Sequence, residues 1–229
     1  MNSADRTMVH DLTAEELRVL GCLVEKQATT PDNYPLSSNA LMMACNQSTS
    51  RDPIVDYSER TIDSTMLSLR DRGLARTVRG DGQRVHKHRH ILDEAWSLPG
   101  TSLAVLSVLM LRGAQTVAEL RTRTERYVAS KSGDGIDIDA TLRGLAEREP
   151  PFVQLLPRRA GEREARWIHL LGDVQSQQAA HEHEAATGAP RKVVGDRVDV
   201  LETQLANVTA RLEALTARFD ALVADLGAG

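Results

Sequence analysis

The chain has 229 residues, 41% hydrophobic and 26% charged, which suits one or two soluble domains with real cores plus appendages. A net charge of -4 excludes a global basic field, so any nucleic-acid footprint must be local. Aromatic side chains make up 3% of the sequence, too few for a base-stacking sheet or groove, and no apolar run reaches the ~18 residues of a membrane span.

Thr13 and Glu16 spell a capping box that opens a helix running to about Gln27. Pro31 and Pro35 punctuate a polar loop, and Ser37 to Asn46 read as a second helix. Pro53 closes a further loop before a third helix, Ser58 to Arg72, which stops at Gly73. Leu74 to Arg79 and Arg84 to Leu92 flank the Gly80-Asp81-Gly82-Gln83 turn, a hairpin signal. The order then recurs. Pro99 precedes a helix from Thr101 to Arg112, and Thr116 with Glu119 repeats the capping box for a helix to about Tyr127. Ile138 to Arg148 is a third helix, and Phe152 to Leu156 and Ala165 to Leu171 flank a turn around Gly161.

The recurrence extends to residues. Ile62, Asp63, Thr65, Leu69 and Arg72 match Ile138, Asp139, Thr141, Leu145 and Arg148 at a constant offset of 76. Leu17, Val19, Leu20 and Leu23 match Leu103, Val105, Leu106 and Leu109 at an offset of 86. The first copy therefore holds ten extra residues between its first and third helices. We read a duplicated module. Helix, helix, helix, hairpin is the winged helix-turn-helix order, so the expected fold is mainly α with small β-hairpins (α+β): tandem winged helix-turn-helix domains over 1–98 and 99–171.

Residues 172–192 are polar and aperiodic and read as a flexible linker. Over 193–229 a heptad does not falter. Its a positions are Val198, Leu205, Leu212, Phe219 and Leu226, and its d positions are Val194, Leu201, Val208, Leu215 and Leu222. A strict apolar 3.5 spacing predicts a C-terminal coiled-coil helix and a homodimer through it. The only cysteines are Cys22 and Cys45, and the start, Met1 to Asp5, is polar with no apolar signal segment behind it. Both features predict a reducing, cytoplasmic location.

Several stretches resemble the bacterial YceH family. They are Glu25-Lys26-Gln27, Thr29-Thr30-Pro31, Tyr34-Pro35-Leu36-Ser37, Asn39 and Ala44-Cys45-Asn46-Gln47 in the first copy. In the second they are Leu111-Arg112-Gly113-Ala114-Gln115-Thr116 with Glu119-Leu120-Arg121 and Arg123, then Gly161, Arg163-Glu164, Arg166, His169 and Leu170. The similarity covers nearly the whole chain. It implies tandem winged-helix domains in a bacterial cytoplasmic protein of uncharacterised function, and it supplies no catalytic residues. Two positions depart from the pattern: Ser48 stands where a lysine is expected and Trp167 where a tyrosine is. Losing a positive charge at Ser48 weakens any phosphate contact there.

Candidate binding residues fall into two groups. Arg76, Arg79, Arg84, Lys87 and Arg89 flank the first hairpin's tip and could neutralise phosphates, with Ser64, Thr65 and Ser68 of the third helix facing bases. The same hairpin charges equally suit a solvated edge kept from aggregating. Glu59, Asp63 and Asp71 on the third helix would repel phosphate. Thr29, Thr30, Tyr34, Asn39, Asn46, Gln47 and Arg51 form a candidate recognition surface, or simply the turn chemistry of a long loop. In the second copy the basic residues are Arg121, Arg123 and Arg126, then Arg158, Arg159, Arg163 and Arg166. His86, His88 and His90 alternate along a strand and could share one side, but nothing beside them has metal-ligand spacing; they read as solvent-facing. No paired-carboxylate, triad or metal constellation stands out, so we expect neither an enzyme nor a cofactor. Two functions remain: double-stranded DNA bound by a regulatory dimer, or a protein partner bound by an adaptor, as in ScpB-like chromosome-segregation proteins.

Overall fold

The computed structural model describes residues 11–79, 86–128, 136–158 and 162–173. The hairpin tip with Arg84, the 172–192 linker beyond Asp173, and the whole 193–229 heptad segment lie outside the described residues.

Capping chemistry sets the helix starts. Helix α1, Ala14–Thr29, opens on Thr13, whose hydroxyl accepts from the Glu16 amide at 3.2 Å while the Glu16 carboxylate accepts from the Thr13 amide at 2.9 Å. Strand β1 is Leu36–Ser37, and Ser37 then caps α2, Ser38–Cys45. Ser58 caps α3, Glu59–Asp71. Its buried positions, Ile62, Thr65, Met66 and Leu69, form the i, i+3, i+4, i+7 stripe of an amphipathic helix. Strands β2, Ala75–Val78, and β3, Lys87–His90, pair antiparallel, with β1 on the other side of β3.

The sequence reading ran the second hairpin strand to Leu92. Instead β3 ends at His90, and a short helix α4, Leu92–Trp96, follows. The ladder closes where the Ile91 amide bonds Leu74 O at 3.0 Å. Leu92 and Trp96, four residues apart, are then buried together on one helical face.

The second half repeats the order. Helix α5 is Gly100–Arg112, α6 is Val117–Val128 and α7 is Ile138–Ala146, followed by β4, Val153–Leu155, paired antiparallel with β5, Trp167–His169. The reciprocal bonds of Thr116 and Glu119 (2.9 and 3.1 Å) make the second capping box. Gln115 pairs with Trp167 through backbone bonds of 2.9 and 2.7 Å, standing where β1 stands in the first half. His90 and His169 end the inner strands of their hairpins, both are buried, and each Nδ1 accepts an amide two residues on at 3.3 Å.

The halves share one apolar core, because α1 and α5 pack directly on each other. The repeat's equivalent residues touch there: Ser107 Oγ donates to Gly21 O at 2.9 Å. Gly21 is needed for this approach, since a Cβ would sit 2.8 Å from Leu111 Cγ. The first half's longer α2–α3 loop also docks across the boundary. The Asp52 amide bonds Leu111 O at 2.8 Å, and Arg112 donates to Ser50 Oγ.

Beneath that loop lies a buried ionic cluster. The Arg51 side chain is 0% exposed and donates to both carboxylate oxygens of Glu25, while Arg126 of the second half reaches Glu25 Oε1 at 2.6 Å. Burial pushes the Glu25 carboxyl up, but the Arg51 and Arg126 guanidiniums outweigh it and hold the group down at about 2. Among the described residues no helix is long and apolar enough to cross a membrane.

Candidate interaction cleft

Helix α3, the start of α2 and the hairpin enclose a cleft of about 710 Å³. Its floor includes Met66, and its rim includes Leu67, Glu59, Asp63, Arg70, Arg79, Asn39 and His86. Amphipathic α3 gives one face to the core, so the opposite face must line the opening. That face exposes Glu59, Asp63 and Asp71 against Arg60 and Arg70, with Leu67 55% exposed among them.

A hydrogen-bonded chain crosses the cleft. Ser38 Oγ donates to Asp63 Oδ1 at 2.7 Å, and His88 stands with Nε2 3.0 Å from the same Oγ and Nδ1 3.2 Å from Thr77 Oγ1. A carboxylate only accepts, so the serine proton faces Asp63 and Ser38 takes its second bond from His88 Nε2–H. The Thr77 hydroxyl then donates to Nδ1. In a nucleophilic triad the acid orients the histidine and the histidine takes the serine proton. Here the acid holds the serine, which leaves Ser38 a joint between α2, α3 and the hairpin. Burial lowers the His88 pKa and keeps the ring neutral, as this chain requires. In the second half Leu155, Trp167 and Val117 hold the positions of Thr77, His88 and Ser38, so the polar joint belongs to the first half alone.

The predicted site residues are placed differently from one another. Thr65 belongs to the core stripe of α3, is 7% exposed, and donates to Thr61 O at 2.8 Å; it faces no base. Ser68 is turned to Glu16, donating at 2.7 Å, and Ser64 is exposed but donates to Thr61 O at 3.0 Å. Arg76 and Arg89 both reach Glu94 of α4, at 3.2 and 3.3 Å. Arg79 borders the cleft, and Lys87 borders a shallower depression with Lys26, Thr30 and Asn33. Arg84 lies outside the described residues.

The candidate recognition surface proves mostly internal. Thr29 and Thr30 hydroxyls donate back to Glu25 O and Lys26 O at 2.9 and 3.2 Å. The Tyr34 hydroxyl accepts from the His90 amide at 2.8 Å. Asn46 clamps both backbone groups of Tyr57 at 2.8 Å, and Gln47 accepts from Arg51 at 2.8 Å. Arg51 is buried in the ionic cluster, so of this group Asn39 is the one that lines the cleft. His88 and His90 are also buried, not solvent-facing; only His86 of the three is exposed. Among the described residues no cluster of three or more metal-ligating side chains occurs.

In the second half the arginines meet acids. Arg121 lies 3.7 Å from Asp139, Arg123 lies 3.8 Å from Glu119, and Arg166 reaches Glu119 at 2.6 Å and Glu162 at 3.3 Å. With Arg126 on Glu25, the basic second helix seen in the sequence is largely neutralised by neighbours. Glu94 and Glu25 were the partners sequence reading missed. Glu94 lies in the short helix after the first hairpin and Glu25 in the last turns of α1, and neither carries a periodic signal that marks it as a partner.

The family profile described as "Protein of unknown function, DUF480" matches residues 12–162. A UPF0502 protein of Enterobacter sp. (strain 638) is 43% identical over 216 residues, covering 92% of this chain and 98% of its own. A UPF0502 protein of Solibacter usitatus is 42% identical over 210 residues, covering 91% and 98%. The UPF0502 protein YceH of Salmonella paratyphi A is 41% identical over 219 residues, covering 92% and 98%. The chain therefore belongs to the UPF0502 family, the YceH group to which the DUF480 description applies.

Proposed function

We propose that the chain is a non-enzymatic tandem winged-helix protein whose first-half cleft binds a protein partner. One observation carries this reading. The outward face of α3, the element that would enter a DNA groove, presents three carboxylates around an exposed Leu67. Carboxylates repel phosphate, whereas an apolar side chain ringed by charge suits the centre and rim of a protein contact. Thr65 is buried, and the hydroxyl of exposed Ser68 is given to Glu16, which takes up hydroxyls that base reading would use. Surface ion pairs are individually weak. Still, the pairing of Arg76 and Arg89 with Glu94 reduces the positive charge the hairpin offers.

Replacing Leu67 with lysine is expected to abolish capture of one stoichiometric protein from nuclease-treated extract, with the fold unchanged by circular dichroism. Undiminished capture by Leu67→Lys would reject the cleft as the contact. A second reading, duplex DNA bound in a regulatory role, draws on Arg79, Lys87 and exposed His86 along the hairpin. That reading gains if a labelled duplex binds with an affinity that falls steeply with salt and is lost on reversing Arg79 and Lys87.

We further infer a cytoplasmic homodimer joined through the 193–229 heptads, whose ten a and d positions are apolar. Substituting Leu205 and Leu212 with arginine is expected to halve the molar mass measured by light scattering. An unchanged mass would dismiss the coiled-coil contact.

A further inference from the structure

Five residues of α3 line the cleft: Glu59, Asp63, Met66, Leu67 and Arg70. Their spacing of i, i+4, i+7, i+8 and i+11 puts them along one ridge of the helix, about 16 Å long at the usual rise per residue. The ridge is ordered by chemistry. Two carboxylates stand toward its N-terminal end, an apolar pair in the middle and a guanidinium at its C-terminal end. Met66 is buried at the floor, whereas Leu67 is 55% exposed above it. Asp63 accepts from Ser38, while Glu59 and Arg70 have no ion pair among the described residues. The helix by itself does not require this order. Glu59 and Arg70 suit the two ends of its dipole, but an exposed leucine between them serves no such purpose. In the second half the positions of Leu67 and Arg70 hold Arg143 and Ala146 on α7. The hairpin wall of the cleft adds Arg79 and His86 and, among the described residues, no acid.

We propose that the cleft is a receptor groove for one amphipathic helix of a partner protein, lying antiparallel to α3. This deepens the protein-partner reading and rests on it. A cleft of about 710 Å³ admits the side chains of one helix face and not a globular domain, so the partner inserts a ridge. Apolar side chains of that ridge cover Leu67 and reach down to Met66. Its cations meet Glu59 and Asp63 at one end, and its acid meets Arg70 at the other. Orientation follows from the same charges. A helix with acids in its first turn and cations in its last agrees with its own dipole, so its C-terminal end lies over the N-terminal end of α3.

The test uses the full-length chain as bait for a displayed library of unconstrained random peptides, each about sixteen residues or ~24 Å if helical. Selected peptides are expected to carry apolar residues at i, i+3, i+4 and i+7, acids toward the N-terminus and cations toward the C-terminus. A selected peptide with a nitroxide at its N-terminus is expected to broaden the Arg70 amide signal more than that of Glu59. Arg70→Glu is expected to weaken this peptide about tenfold, and replacing the peptide's acids with lysine is expected to restore binding to that variant. Arg70→Gln, a neutral change at an exposed position, is expected to weaken binding in the same direction, which keeps the test decisive if charge reversal disturbs the fold. Selected peptides with a two-residue alternation, without charge order, or with the nitroxide nearer Glu59 would overturn the antiparallel helix. Those results would leave the Leu67→Lys effect on partner capture standing. Enrichment of no peptide, together with a duplex whose binding Arg70→Glu removes, would overturn both.

Discussion

Replacing Glu25 with glutamine is expected to destabilise the fold by about 3–5 kcal/mol, the usual effect of removing one partner from a buried ion pair. The reason is geometric. Arg51 is completely buried and Arg126 is two-thirds covered, and both aim at this one carboxylate. Taking away its charge strands Arg51 in a low-dielectric junction between the halves, where water cannot replace it, and leaves the one-third exposed Arg126 without its carboxylate. Urea unfolding followed by far-UV circular dichroism measures the effect. Replacing Glu25 and Arg51 together with leucine and methionine is expected to recover a large part of the loss, because a matched apolar pair leaves only Arg126 to resolvate. A loss under about 1 kcal/mol for Glu25→Gln would mean that Arg51 and Arg126 find other partners. The pH dependence follows from the same group. Its folded pKa, about 2, lies below the ordinary carboxylate value of 4.5. The stabilisation is therefore complete above the unfolded value and is lost as pH falls from about 4.5 toward about 2.

The two hairpin histidines act at higher pH. Burial lowers His90 and His169 from an ordinary 6.5 to about 4. In both, Nδ1 must stay bare to accept the amide of Leu92 or Leu171, and His90 Nε2 is engaged with Gln27 Oε1. Between about 4 and 6.5 the unfolded chain takes up protons that the folded chain refuses, so stability falls on acidification through that window. At ~1.4 kcal/mol per pKa unit, each ring accounts for about 3 kcal/mol across it. Unfolding free energies measured at pH 7 and pH 5 should therefore differ clearly for the native chain. The difference should shrink in His169→Asn, whose side-chain oxygen can still accept the amide, to the part left by His90 and His88. An unchanged pH slope in that variant would show that His169 does not titrate in this way.

What the sequence made legible was local. Thr13 with Glu16 and Thr116 with Glu119 are three apart and bond as read, and Ser37 and Ser58 cap the helices they precede. The offset of 86 between first helices reappears as a contact between the equivalent residues themselves. Boundaries were less secure: α7 ends at Ala146, short of Arg148, whose guanidinium instead donates to Trp96 O at 2.8 Å. The site was harder, because polarity had stood for exposure. Thr65 is polar, yet it falls on the same helical stripe as Ile62 and Leu69, and its hydroxyl is satisfied within its own turn. Arg51 looked like a surface cation because its carboxylate, Glu25, lies 26 residues away. His88 depends on Ser38 from 50 residues upstream. Such satisfaction is a tertiary property, invisible until distant elements meet.

The contact between Ser107 and Gly21 has a consequence for symmetry. Two identical subunits meeting across a two-fold axis must offer every residue near that axis to its own copy. Glycine would face glycine, and a serine would face a serine. Joined in one chain, the two halves escape that constraint. One side can give up its side chain so that backbone approaches closely, while the other supplies the hydroxyl that caps the exposed carbonyl. The same freedom lets Glu25 accept an arginine from each half, whereas the position related to it by the repeat is the apolar Leu111. A seam of this kind fits only one way round, and each half has become unsuited to pairing with another copy of itself.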